Sequence, residues 1–311
     1  MKIAKIKVIG IGGAGGNAIS RMMRCKIKGV NLIALNTDLQ DLKRVKAHQK
    51  IWVGKKITKG LGTGMNLHLG KRSIQESEGE ISQVLKGADI IFLVAGLGGG
   101  TGTGGILAVA DLAKKTGALT IGVVTLPFSF EGTERIKIAQ AGLRELKGKV
   151  DTLLVIPNDR ILTQMNQKIT LSTAFWNCDE VLRQAIQGIS DLIVVPGIIN
   201  VDFADIRAVM ENSGPAFFGV GKGKGKRKVE EAVEKAINSP LLNSSIKGAR
   251  GILFNISGGE GLTFKEVYKI AQKISENTPP EAKIIFGAIQ DRRLQKEEIR
   301  LTVIATGISK E

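Results

Sequence analysis

The chain has 311 residues, 43% of them hydrophobic and only 4% aromatic, which suits one large or two ordinary globular domains. Glycine is abundant, 39 against 7 prolines, so many strand-to-helix turns are expected and collagen-like or proline-rich architectures are excluded. Forty-five basic against 29 acidic residues give a net charge of +16, a field that attracts phosphates, nucleic acid or anionic lipid, yet no apolar run is long enough to span a bilayer.

Taken in order, the lysine-punctuated start through Lys7 reads as the approach to a strand, not as a signal peptide. The strand Ile6–Ile9 runs into Gly10-Ile11-Gly12-Gly13-Ala14-Gly15-Gly16-Asn17 and then a helix around Ala18–Met23. Gly10, Gly12 and Gly15 match the dinucleotide fingerprint G-x-G-x-x-G, and the next strand, Asn31–Asn36, ends at Thr37-Asp38, where a Rossmann enzyme holds a ribose. An NAD-dependent oxidoreductase is therefore an open alternative at this point. Residues 41–70 read as polar and irregular, with a flexible turn over Lys59–Gly64, and Lys71–Ser82 reads as a helix.

The buried strand 90–95 leads into Gly98-Gly99-Gly100-Thr101-Gly102-Thr103-Gly104, followed by a helix over Ile106–Ala113. A glycine-rich turn from strand into helix presents backbone N–H groups at the positive end of a helix dipole, which is a seat for phosphate. Glycine lets the backbone approach an anion closely and take positive φ. A strand at 119–125, a helix from about Phe130 to Leu146 and a strand at 152–156 closed by Pro157-Asn158-Asp159 complete an alternation that predicts a doubly wound, mostly parallel α/β sheet. Ligands of such sheets bind at the strands' carboxyl ends, where all these loops lie.

From about 171 to 193 apolar residues keep helical spacing, Leu171 and Phe175 through Cys178 and Leu182 to Ile193, so a long helix buried between two layers is expected. The domain boundary is placed at its end, giving units 1–193 and 194–311. Asn200-Val201-Asp202-Phe203-Ala204-Asp205 opens a helix to about Met210; an acid there commonly caps the helix or favours its dipole. The rest reads as α+β: a strand at 217–220, a solvated basic loop Lys222–Lys228, a helix at 229–238, a strand at 251–256, a helix at 263–276 and strands near 283–288 and 299–305. The basic run has no interleaved aromatics, so a stacking platform for single-stranded nucleic acid is not expected. Cys25 and Cys178 read as reduced core residues, and His48 and His68 as isolated surface residues.

The glycine-threonine stretch 98–104 resembles the signature loop of the tubulin/FtsZ superfamily. The resemblance, to the FtsZ branch, extends over essentially the whole chain through Gly12–Asn17, Asn36-Thr37-Asp38, Phe130-Glu131-Gly132 with Arg135, Pro157-Asn158-Asp159 and Asn200–Asp205, in the family's order. It implies a GTPase domain joined by a long central helix to a smaller α+β domain. It implies that GTP or GDP, with Mg2+, is held by Gly12, Gly13, Ala14, Gly15, Gly16 and Asn17 and by Gly98, Gly99, Gly100, Thr101, Gly102, Thr103 and Gly104. Glu131 and Arg135 would reach the ribose and the phosphate side, Phe175 would stack on the base, and Asp179 would accept guanine's N–H donors while Asn17 meets its carbonyl. Asp202 and Asp205, with Asn200 in the same loop, would complete hydrolysis in the pocket of the next subunit of a head-to-tail filament in the cytoplasm or an organelle stroma, at the division site. Three departures stand out. Ala14 replaces a glycine, Leu126 stands where a basic residue is common, and the charge is positive in a family that tends to be acidic. The chain is also expected to lack the tail that recruits division-ring partners, and no direct membrane insertion is expected. A non-hydrolysing filament protein of the same fold is the remaining alternative.

Overall fold

The apolar runs of the first half become strands buried on both faces, the setting in which parallel sheets are found. They are described in a computed structural model over residues 4–163, 169–239 and 246–308; the first residues of the lysine-punctuated start and the end of the chain lie outside the described residues. The chain divides into two compact units, one reaching to Ile186 and one from Gln187 onward.

In the N-terminal unit, β1 (Ile6–Ile11), β2 (Val30–Asn36), β3 (Gln49–Trp52), β4 (Ile90–Gly96), β5 (Leu119–Leu126) and β6 (Thr152–Pro157) form parallel pairs in the order β3-β2-β1-β4-β5-β6. The helices are α1 (Gly12–Arg24), α2 (Leu39–Arg44), α3 (Lys55–Thr58), α4 (Leu67–Glu76), α5 (Glu78–Leu85), α6 (Gly100–Lys115), α7 (Thr133–Leu146) and α8 (Asn158–Leu162). Gly10 faces α1, where any side chain would run into Gly15 and Ile19. Its neighbours Ile9 and Ile11 point the other way, into a core with Ile74, Ile106 and Leu146. Helices thus cover both faces, as the alternation predicts. β1 lies between β2 and β4, so the winding changes direction there and opens a crevice at their carboxyl ends.

Three local expectations are corrected. α6 starts at Gly100, not Ile106, because Gly100 and Gly104 lie flush against residues 63–67, where Cβ atoms would collide with Asn66 O and Leu67 O. The single helix expected over 71–82 is two, α4 and α5, separated at Ser77, whose backbone (φ −107°, ψ 17°) leaves the helical region. Residues 41–70 are not irregular: Asp38 caps α2 by accepting from Asp41 N–H at 2.9 Å, and Asn66 caps α4 through Leu69 N–H at 3.0 Å.

α9 (Leu171–Val194) has 24 residues and contains the point at which the chain divides. Ala174, Cys178, Leu182, Ile186, Ile189 and Leu192 are buried, but Leu171 is 60% and Phe175 40% exposed, so the apolar stripe is not core over its first turn.

The C-terminal unit contains α10 (Phe203–Met210), β7 (Gly214–Lys224), α11 (Lys228–Ile237), β8 (Gly251–Gly258), α12 (Phe264–Ser275), β9 (Lys283–Gln290) and β10 (Glu298–Thr306). Its strands follow the order β7-β10-β8-β9, antiparallel except for the β8–β9 pair. The basic run is not a solvated loop but the end of β7, a tight turn and the start of α11. Gly219, Gly221 and Gly223 alternate with the exposed Lys222 and Lys224, and α11 lies directly on the glycine face, against the carbonyls of Ala236, Ala232 and Lys228. Lys228 itself is buried and pairs with Glu266 at 2.9 Å and Glu297 at 3.2 Å.

Candidate functional site

The crevice beside β1 and β4 deepens into a cleft of about 640 Å3 within the N-terminal unit. Two helices begin on it. α1 follows β1 without a turn, through Gly12 at φ +72°, and α6 follows β4 through Gly98 at φ +105°. No side chain caps either start, and neither first turn carries an acid. Helix N-termini in this state leave donor groups for an anion and add the favourable end of two dipoles. Ala14 is not among the residues with positive φ, so its methyl group fits the first turn of α1 where the resemblance led to a glycine.

Gly13, Ala14, Asn17, Gly99, Gly100, Thr101, Gly102, Glu131, Arg135, Phe175 and Asp179 line the cleft. Gly12, Gly15, Gly16, Gly98, Thr103 and Gly104 are not among its lining residues. Gly15 packs under Gly10 and Val94, Gly16 against Val45 and Gly104 against Leu67. The fully buried Thr103 accepts from Gly98 N–H at 2.8 Å and so closes the turn before α6. Even the lining residue Gly102 is a packing glycine, since a Cβ there would stand 2.5 Å from Gly96 O.

α9 also lines the cleft, through Phe175, Cys178 and Asp179. The Phe175 ring meets Phe128 edge-on at 5.2 Å. Burial pushes the Asp179 carboxyl up to about 7, partly offset by the Arg21 guanidinium, and pushes the neighbouring Cys178 thiol up to about 12. Arg21 lies 3.5 Å over the Trp176 ring and 2.7 Å from Glu180. Burial alone would raise the Glu180 carboxyl, but hydrogen bonds from Arg183, Gln184 and Arg21 outweigh it and hold the group at about 2. These contacts fix α9 against α1 within this unit. Glu131 pairs with Arg135 at 3.3 Å and accepts from Phe128 N–H at 2.9 Å.

The cleft also takes in residues that the sequence marked only as motif matches or not at all. Asn36, Thr37, Asp38 and Asp41 come from the β2 end, and Gly62, Thr63 and Gly64 from the turn after α3. Asn36 donates to Asp41 at 2.7 Å; burial, then the Asp38 charge, raises the Asp41 carboxyl. Asn158 is 5% exposed and its side-chain oxygen has no hydrogen-bond partner. A buried acceptor without a partner is costly unless a ligand or water meets it, and Asn158 also lines the cleft.

Asn200, Asp202 and Asp205 belong to the C-terminal unit and are not among the lining residues. Asn200 accepts from Gly197 N–H at 2.8 Å. Asp202 is exposed at the N-cap position of α10, yet its side chain makes no capping bond, and Asp205 lies in the first turn. The helix-cap explanation of Asp202 is therefore not realised. Among the described residues no group of three or more His, Cys, Asp and Glu could hold a metal ion, and no helix is long and apolar enough to cross a membrane.

Residues 5–166 match the Tubulin/FtsZ family GTPase domain and residues 214–309 the FtsZ family C-terminal domain. An empty FtsZ dimer from M. jannaschii is 45% identical with a TM-score of 0.95, over 99% of this chain and 89% of that one. Two Haloferax volcanii structures share the fold at lower identity. They are a GTPγS-bound CetZ2 protofilament (20% identity, TM-score 0.81, 99% and 94% covered) and a GDP-bound CetZ1 monomer (23%, 0.83, 98% and 95%).

Proposed function

Because the chain belongs to the Tubulin/FtsZ family of GTPases, we propose that its cleft binds GTP and that hydrolysis is completed between subunits of a head-to-tail filament. The observation that carries this reading is the pair of uncapped helix starts, α1 and α6, opening on a cleft that Asp179 also lines. Phosphates suit the first feature and guanine's N–H edge the second. Asn17 meets the guanine carbonyl, Phe175 stacks on the base, and Glu131 and Arg135 face the ribose and phosphates. Mg2+ escorting the phosphates would find oxygen donors in Asp38 and Asp41. The Asp41 carboxyl, raised by burial and by its neighbour's charge, is the kind of group a cation relieves. When bound, the ion would neutralise phosphate charge.

Asp202 and Asp205 then position or polarise the attacking water in a neighbouring subunit's cleft. Pocket residues come from the first half of α9, and the acids follow its last turn. From Asp179 to Val194 the helix rises roughly 22 Å at about 1.5 Å per residue. A second molecule supplies the acids, and because that contact is heterologous it propagates into an open filament. The filament works in the cytoplasm at the division site, with division-ring proteins as further partners. An NAD-dependent oxidoreductase gives Asp202 and Asp205 no task and is set aside.

Calorimetric titration with GTP and ATP, followed by phosphate release across a protein-concentration series, tests the reading. GTP should bind in preference to ATP, and turnover per molecule should rise with concentration. Equal affinities would remove the guanine assignment, and concentration-independent turnover would remove the shared site.

A further inference from the structure

The charge of the chain is not spread evenly. Residues 1–75 hold sixteen basic and two acidic residues, so +14 of the net +16 falls in this stretch. Its two acids, Asp38 and Asp41, both line the cleft at the carboxyl end of the sheet. The amino ends of the same strands keep their lysines without those acids. There a second hollow, of about 490 Å3, is lined by Lys5 and Lys7 at the start of β1, Asn31 at the start of β2 and His48 just before β3. Lys26 and Lys28, in the turn before β2, and Lys46, before His48, are exposed in the neighbouring stretches of chain.

Each of these lining side chains has a donor to spare. Lys7 Nζ gives two protons to Val84 O at 2.5 Å and Lys86 O at 2.8 Å, at the carboxyl end of α5, and keeps a third. His48 Nδ1 accepts from Leu32 N–H at 2.9 Å, so the neutral ring carries its proton on Nε2. The side chains of Lys5 and Asn31 are exposed and hold no hydrogen bond or ion pair among the described residues. Lys7 and Asn31 are register partners on adjacent parallel strands, so they share one face of the sheet. The acid that reaches this end is Asp89, which accepts from the backbone N–H of Lys5 at 2.8 Å and pairs with neither ammonium group. Burial, then the charge of Lys5, lowers the Lys7 amine from its ordinary range. An anion beside both lysines relieves that repulsion.

We propose that this hollow binds a terminal phosphate group, carried by a lipid headgroup or free in solution, at the end of the sheet opposite the cleft. A terminal phosphate brings three acceptor oxygens and close to two charges, enough for the separate donors of Lys5, Lys7, Asn31 and His48. A carboxylate brings two oxygens and one charge. No Phe, Tyr or Trp lines the hollow among the described residues, so a nucleobase lacks the usual stacking surface there. The surplus charge of residues 1–75 supplies the longer-range field that draws such anions to this unit. The nucleotide reading of the cleft is not needed for any of this.

The test follows the imidazole signals of the full chain by NMR as inorganic phosphate is added at constant pH. The chain has two histidines, His48 and His68. His68 is on α4, whose first residue packs on Gly104 of α6, so it reports the cleft side of the unit. The His48 signal should move and saturate. Asn31→Asp, an isosteric change, places a carboxylate among the donors and should weaken phosphate roughly tenfold or more, the scale of a hydrogen bond to a charged group. Gln75→Glu makes the same change of charge at an exposed position on α4 and should weaken it less than twofold. Circular dichroism checks folding, and Lys5→Gln, which removes an exposed amine, should act in the same direction as Asn31→Asp. Co-sedimentation with vesicles of phosphatidic acid or phosphatidylserine, matched in surface charge, separates the two sources. A preference for phosphatidic acid that Asn31→Asp abolishes assigns the lipid headgroup; a saturating shift at His48 without vesicle binding assigns the free ion. Equal weakening by Asn31→Asp and Gln75→Glu would leave a diffuse field in place of a site and overturn the proposal. A shift at His68 with none at His48 would put phosphate in the cleft alone and do the same. Duplex DNA that moves the His48 signal where phosphate does not would make this end a nucleic-acid contact and would likewise overturn it.

Discussion

In the cleft, polar side chains are committed to one another: Thr37 and Thr63 meet at Thr101, Glu131 holds Arg135 and the Phe128 N–H, and Asp41 holds Asn36. In the stretch that follows α9, Asn200 is committed to Gly197, but Asp202 is exposed and leaves the start of α10 uncapped by its side chain. A capping bond in that position is commonly worth about 0.5–2 kcal/mol, and the stretch forgoes it. One region has its polar side chains tied to one another within its own unit, which suits the ligand-holding role proposed for it. The other keeps a carboxylate free for something outside its own helix. Binding and hydrolysis should therefore come apart under mutation.

The largest effect expected is from Gly102→Val. Its Cβ would face Gly96 O at 2.5 Å in the first turn of α6, so nucleotide binding should be lost while far-UV circular dichroism keeps most of the helix and strand signal. Retained tight binding would remove that turn from the site. Next come Asp202→Ala and Asp205→Ala, which should lower GTP turnover by roughly 10²–10⁴, the scale of a positioned acid or base, with GTP affinity unchanged. If affinity fell with turnover, the two regions would not be separable as described.

Asp179→Ala should weaken GTP by roughly tenfold to a hundredfold, from lost hydrogen bonds to a charged group, and erase the preference over ATP in a titration; Asp179→Asn should leave folding undisturbed. The smallest effect is one of pH. Burial holds the Asp179 carboxyl at about 7. Guanine's donors need the ionised form, so below that value binding must first displace a proton. Affinity should fall as pH drops, by roughly twentyfold between about pH 7.5 and 5.5 if the bound carboxylate stays ionised. The dependence should vanish in Asp179→Asn; if it persists there, another group titrates.

The doubly wound sheet was legible because its strands are short apolar runs without alternation and its helices follow glycine-rich junctions. Where glycine itself was the evidence, it misled. Gly100–Gly104 read as a loop because glycine is a poor helix former, but close contact with residues 63–67 holds it in a helix. The basic run from Lys222 reads as a solvated loop, yet its first residues continue the strand read at 217–220, and Gly219, Gly221 and Gly223 admit α11. The short elements between 41 and 70 have too few turns to show periodicity. In the cleft, Asp179 was reached only through the family resemblance, since one acid on a helix carries no signal of its burial. Thr63 and the orphaned oxygen of Asn158 depend on segments brought together by the fold, with Thr37, Thr63 and Thr101 separated by 26 and 38 positions, which no local pattern records.

The most direct measurement mixes two variants that are each nearly inactive, Gly102→Val with an intact acid stretch and Asp205→Ala with an intact cleft, and follows GTP turnover at increasing total protein. The acids of the first can serve the cleft of the second. The mixture should exceed the sum of the separate activities, by a margin that grows with concentration. Simple additivity at every concentration, with co-pelleting showing that the variants assemble together, would mean that each subunit completes its own site.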